Sequence, residues 1–320
     1  MLSRTAENLF WMARDMERAE NTARMLDVSF RMALLPSSLN AQALHFEPIL
    51  AIAPGDGRFH DLYGELTHEN IVRYVALEPT NPASIWSLIK LARENARAQR
   101  SAISSEAWES LNATWLQVQS LDYAGLTGWG YRDFFDWVKE RSHLFRGVVF
   151  GTMLHDDAFR FIRLGTFIER ADNTARILDV KYHVLLPETE QIGGYVDYYQ
   201  WGALLRSVGA FRAYRRVYRD TVYPWRIAEL LVLRADMPRS LHHCYQVVVA
   251  TLDELAGKKK LECRRLAGQI YAKLHYGRID KIFQSGLHEF LTDFVSSNNA
   301  LGVQLQDDFL MTPAIVAGAA

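Results

Sequence analysis

The sequence predicts an all-α protein, a helical bundle built from two related halves about a pseudo-twofold axis. Three observations carry this expectation. Apolar residues recur at the three- and four-residue spacing of a buried helix face. Runs of alternating β-branched residues, which would mark strands, are nearly absent. A twelve-residue segment also occurs twice: 17–28 reads ERAENTARMLDV and 169–180 reads ERADNTARILDV, with ten of twelve positions identical at an offset of 152. At a background match of roughly one in fifteen per position, ordinary composition does not generate such a pair. Fainter echoes follow at an offset of 156, where Leu77, Pro82, Ser84 and Ile85 return as Leu233, Pro238, Ser240 and Leu241. The expected division is therefore 1–152 and 153–310 within one domain, followed by a small-residue tail over 311–320 that is expected to be mobile.

Each half is expected to open with a long helix. With Leu9 at heptad position a, the first helix places Leu9, Met16, Ala23 and Phe30 at a, and Met12, Ala19, Leu26 and Ala33 at d. The second places Phe161, Ile168, Ala175 and Tyr182 at a, and Leu164, Ala171, Leu178 and Leu185 at d. The paired alanines 19/23 and 171/175 leave room for a neighbouring helix to approach closely. Helices are expected over 83–101 (after Pro82), 104–120 (capped by Ser104 or Ser105) and 133–150 in the first half. In the second half they are expected over 195–219, 225–234, 238–256, 259–276 and 279–297. Proline and glycine assign 36–60, 187–194 and the stretch GLTGWGYRD to loops.

The 36 Lys+Arg balance 37 Asp+Glu, which argues against nucleic acid as a partner, because a polyanion binder carries a basic excess. No apolar run is long enough to span a bilayer, and MLSRTAENLF lacks a signal-peptide core. The two cysteines, Cys244 and Cys263, offer no disulfide framework. A cytoplasmic protein with no membrane partner is expected.

The duplicated segment also supplies the candidate site. Several core positions differ between the copies, as in Met16/Ile168 and Met25/Ile177, whereas the polar ones are identical apart from Glu20/Asp172. Glu17, Arg18, Asn21, Arg24 and Asp27 return as Glu169, Arg170, Asn173, Arg176 and Asp179. Freely solvated side chains tolerate substitution at under about 0.5 kcal/mol, so something constrains these. One reading is a semi-buried network in which Glu and Arg of the two helices pair across their contact. Losing one partner of such a pair costs about 3–5 kcal/mol. The other reading is a cleft whose arginines orient a carboxylate or phosphate while a glutamate takes a proton, as an enzyme acting on an amide or amino acid would need. A di-metal bundle is a remote third, from Glu65-x-x-His68 and Glu140-x-x-His143 with Glu17 and Glu169. About 0.6 such spacings arise by chance here, and the two do not occupy equivalent places in the halves. No metal and no cofactor is therefore expected. Phosphate-loop, GxSxG and HExxH signatures are missing as well.

The Glu17-Arg18 and Glu169-Arg170 pairs, with RLGTFIERADNTARILD, WGALLRSVGAFRAYRR and MPRSLHHC, resemble the alpha-E family of bacterial all-helical proteins, named for its Glu-Arg motif. The resemblance covers essentially the whole chain. It implies a bacterial protein encoded beside, or fused to, a circularly permuted ATP-grasp protein, often near a transglutaminase-like one. Because ATP-grasp enzymes join carboxylates to amines, it further implies an accessory role in peptide or amide-bond metabolism without stand-alone turnover. The family motif falls on Glu17, Arg18, Glu169 and Arg170. Arg14 breaks the internal correspondence, since position 166 is Thr166.

Overall fold

A computed structural model describes residues 1–33, 50, 57–183 and 195–310. The Pro36 and Pro187 turns, most of the 36–60 loop, Leu185 and the 311–320 tail lie outside the described residues, as do the side chains of Ala33 and Tyr182. Among the described residues there are fifteen α-helices and no strand.

Two long helices form the centre, α1 (Ser3–Ala33) and α8 (Asp157–His183). In the first half α1 is followed by α2 (Gly57–Tyr63), α3 (His68–Val72, continuing into one π-helical turn over Arg73–Leu77), α4 (Ile85–Ala98), α5 (Ser105–Val118), α6 (Tyr123–Trp129) and α7 (Tyr131–Thr152). After α8 come α9 (Tyr195–Ser207), α10 (Phe211–Tyr218), α11 (Pro224–Val232), α12 (Leu241–Ala256), α13 (Glu262–His275), α14 (Ile279–Ser285) and α15 (Leu287–Phe309).

Helices α1, α4, α5 and α7 pack in a closed ring, each against the next and α7 back on α1. Helices α8, α12, α13 and α15 close a second ring in the same order. The most extensive helix contact in the molecule is between α1 and α8, so the first helix of each ring is also the joint between rings. Both are therefore enclosed on nearly every side over their middle turns, which no single apolar stripe would produce. Leu9, Met12, Met16 and Leu26, with Leu164, Ile168 and Leu178, are all but inaccessible. Ala19, Ala23, Ala171 and Ala175 are fully buried. A close approach lies nearer the helix starts: a Cβ on Gly165 would sit 2.2 Å from the carbonyl oxygen of Phe10, so only glycine fits there.

Serine sets the start of both α4 and α12. Ser84 and Ser240, extended in backbone, accept from the amides of Ser87 and His243. Ser104 caps α5 in the same way. Glycines with positive φ break the chain between α6 and α7 (Gly130, φ 100°) and between α14 and α15 (Gly286, φ 95°). Each break separates a seven-residue helix from the long helix that completes a ring.

Several boundaries differ from the sequence expectation. Residues 57–60, expected as loop, begin α2. The glycine-rich stretch is largely helical: Asp122 caps the Gly125 amide at 2.7 Å and buried Leu126 anchors the turn. The 195–219 segment is two helices, separated at Gly209 (φ 68°), and 279–297 divides at Gly286 and runs on to Phe309. Lys258, Lys259 and Lys260 are exposed ahead of α13 instead of starting it. Tyr214 is fully buried, accepting from the Tyr223 amide and donating to the Thr221 carbonyl.

Candidate functional site

Where α1 and α8 cross, their acidic and basic residues pair reciprocally. Arg170 donates through two nitrogens to the Glu17 carboxylate, both at 2.9 Å. Arg18 donates through two to Glu169, at 2.7 and 2.8 Å. The Glu of each motif thus takes the Arg of the other, in the fork-to-fork geometry that a planar guanidinium suits. Glu17 and Glu169 are 1% and 2% exposed, so neither could stay ionised without these partners.

The surroundings of the two glutamates differ. Glu169 has one more arginine, Arg14 at 2.8 Å, and the amide of Asn173 at 3.3 Å. Glu17 has two more. Arg146 of α7 reaches it at 2.8 Å, and Arg239, from the turn before α12, reaches it at 3.3 Å. Both arginines also hold Glu20: Arg146 at 2.5 Å and Arg239 in a closer contact still. Arg24 donates to Glu20 at 2.8 Å and to the Ser207 carbonyl of α9 at 3.3 Å. Asn21 accepts through Oδ1 from Arg239 at 3.0 Å, and its buried Nδ2 has no acceptor among the described residues. The corresponding Asn173 amide donates to the Glu169 carbonyl at 2.8 Å.

Burial alone would push these carboxyls upward. For Glu169, Arg18 and Arg14 overcome it and bring the pKa down to about 2. Arg170, Arg146 and Arg239 hold Glu17 below the ordinary range, and Glu20 lies well below it beside Arg239, His143 and Arg146. Burial pulls Arg239 down to about 10 against the attraction of Glu20 and Glu17, which keeps it a cation at neutral pH. Asp15, one turn before the motif, is the exception. Burial, with the negative charge of Glu169, raises it to about 7 despite Arg18 and Arg14.

Of the ten sequence candidates, Glu17, Arg18, Glu169 and Arg170 form the crossed pairs, and Asn21, Asn173 and Arg24 adjoin them. The other three serve elsewhere. Arg176 pairs with Asp172 on its own helix at 2.6 Å. Asp27 accepts from Lys139 of α7 at 3.2 Å, and Asp179 meets His288 of α15 at 2.6 Å, each about 15 Å along its helix from the crossing. The repeat did not point to Arg146, Arg239 or Asp15, whereas Glu20 and Asp172 pair with Arg24 and Arg176 as their i,i+4 spacing in the repeated segment predicts. Arg239 lies within MPRSLHHC, but its counterpart at the 156 offset is Ala83, and that of Arg146 is Gly302.

Other residues singled out by sequence take structural places. His242 and His243 bond through Nδ1 to the carbonyls of Leu233 and Ala235, fixing the turn into α12, and Cys244 is buried. His143 of the second Glu-x-x-His spacing meets Glu20 and Arg24, while His68 of the first packs on Phe30 and Tyr131. Among the described residues no group of three or more His, Cys, Asp or Glu side chains is placed to hold a metal. No described helix is long and apolar enough to cross a membrane.

The fold and site together define an all-helical protein whose two four-helix rings are joined through reciprocal Glu–Arg pairs. The chain belongs to the Alpha-E family: residues 1–310 match the family described as a predicted alpha-helical domain with a conserved ER motif. No curated protein and no solved structure matches the chain.

Proposed function

We propose that this chain is a non-catalytic accessory protein, cytoplasmic and bacterial, that works with a circularly permuted ATP-grasp ligase in peptide or amide-bond metabolism, and that its Glu-Arg motifs act as a clamp between two duplicated halves. The observation that carries the clamp is the crossed pairing, in which the motif glutamates are spent on the motif arginines of the opposite helix. An enzyme reading would need one of these glutamates as a general base. A carboxylate held near pKa 2 by two arginines is a poor proton acceptor at neutral pH, so the geometry favours the clamp. The duplication with its pseudo-twofold axis is supported by the repeated segment, the same ring order in both halves, the Ser84 and Ser240 caps and the Gly130 and Gly286 breaks. The ligase partner rests on what the family resemblance implies.

The test is co-purification and ligase turnover with the intact chain. Binding to the ligase, or a changed rate of amide formation, is the expected result. An intact chain that neither binds nor alters the ligase removes the partnership. Amide or peptide turnover by the purified chain alone would overturn the non-catalytic reading.

A further inference from the structure

Between the last turns of α7 and the first turns of α8, beneath the turn that joins them, lies a half-open pocket of about 210 Å3. Its walls are mostly apolar, from Phe150, Phe159, Ile162 and Phe167, and two arginines, Arg146 and Arg163, line it. A closed cavity of about 150 Å3 lined by apolar side chains accepts benzene, so this one has room for an aromatic-sized group with a small polar head.

The arginines indicate what that head is. Arg146 makes its three polar contacts, to Glu17, Glu20 and Ser142, through Nη1 alone, and its side chain retains 24% exposure. Its Nε and Nη2 have no acceptor among the described residues. Arg163 has no carboxylate partner among them either: its buried Nε has no acceptor and its guanidinium faces the Phe167 ring at 5.8 Å. Electrostatics point the same way. Glu17 and Glu20 carry two negative charges against the four guanidinium groups that touch them, those of Arg24, Arg146, Arg170 and Arg239, before Arg163 is added. A pocket with spare guanidinium N–H groups, local positive excess and aromatic walls is complementary to an anion with an apolar body.

We propose that the α7–α8 pocket binds a carboxylate bearing an aromatic or similarly sized apolar group, with Arg163 and the free edge of Arg146 holding the carboxylate and the phenylalanines enclosing the apolar part. This site adjoins the crossed pairs, sharing Arg146 with Glu17, and does not depend on the ligase partnership. The same chemistry occurs in a free carboxylic acid and in the C-terminal residue of a polypeptide.

Calorimetric titration of the full chain tests it with 3-phenylpropionate, alongside its neutral counterpart 3-phenylpropan-1-ol, acetate, and acetyl-Ala-Ala-Phe for the chain-end source. Binding of 3-phenylpropionate at least tenfold tighter than the alcohol or acetate is expected. Arg163→Gln should weaken it by roughly ten- to hundredfold, the weight of a charge-assisted hydrogen-bond pair, with thermal unfolding unchanged. Val149→Phe, which places bulk in the pocket while leaving both arginines, should abolish it. Equal binding of the acid to Arg163→Gln or Val149→Phe overturns the site. Equal binding of acetate (an adventitious ion only), or no binding of either aromatic acid, overturns it too. If the tripeptide matches the small acid, the ligand is a chain end; if only the small acid binds, it is a free carboxylate.

Discussion

At the scale of single residues, stability concentrates where charge is buried, and the two motif glutamates differ in consequence. Removing the charge of Glu17 leaves Arg170, Arg146 and Arg239 facing one another with only Glu20 between them, whereas Glu169 neutralises two arginines. Glu17→Gln should therefore destabilise by about 3–5 kcal/mol and Glu169→Gln by less, as read by urea denaturation at pH 7. Equal losses would contradict the asymmetry. Asp15 gives the opposite sign. Its carboxyl, raised to about 7 when folded against an ordinary value of 3.8, favours the folded state fully below pH 4 and loses that contribution as pH rises through 7. Asp15→Asn should stabilise the protein at pH 8 by roughly 2–4 kcal/mol and do little at pH 4; a variant no more stable than the parent at pH 8 would rule this out. Sequence repetition made Glu17, Arg18, Glu169 and Arg170 legible. It was silent on Arg239 and Arg146, because a residue whose counterpart is Ala83 or Gly302 leaves no repeated trace, and its partner is chosen by the fold.

Helix ends and helix contacts behave more simply. Ser84 and Ser240 each accept one amide at the start of a ring helix, so Ser84→Ala and Ser240→Ala should each cost about 1 kcal/mol. Gly165→Ala is the more damaging change. The added Cβ, 2.2 Å from the Phe10 carbonyl oxygen, must drive α1 and α8 apart there, and a drop in Tm exceeding that of either serine variant is expected by calorimetry. These starts were readable because serine and proline act locally on the backbone. The breaks at Gly209 and Gly286 were not, since apolar spacing runs through them and only the positive φ demanded by packing divides the helix. Helices α2 and α3 escaped notice because five to seven residues give too little periodicity to count.

For the molecule as a whole, the joint between rings is where pH acts. Below about pH 4.5 the carboxylates at the crossing begin to lose the stabilisation that holds Glu169 near 2 and Glu17 and Glu20 below their ordinary range, while Asp15 works against stability on the alkaline side. Denaturant titrations across pH should place maximum stability near about pH 4.5, with a decline toward 7 as the Asp15 contribution is lost, and a flat profile from about pH 2 to 5 would contradict the buried pairing. The all-helical class followed from periodicity, which is a property of each segment. Which helices close each ring is decided by contacts between segments far apart in the chain, and no local pattern encodes it.

The mismatch of Arg239 with Ala83, and of Arg146 with Gly302, has a bearing on assembly. Two copies of 1–152 brought together through α1 would each present Glu17 and Glu20 without Arg239, whereas 1–152 beside 153–310 restores the full set of cations. Cut in the α7–α8 turn and co-expressed, the fragments should select each other over themselves, an outcome native mass spectrometry can score directly. Unlike neighbours at the seam favour the pairing of the two halves within one chain over the pairing of like halves.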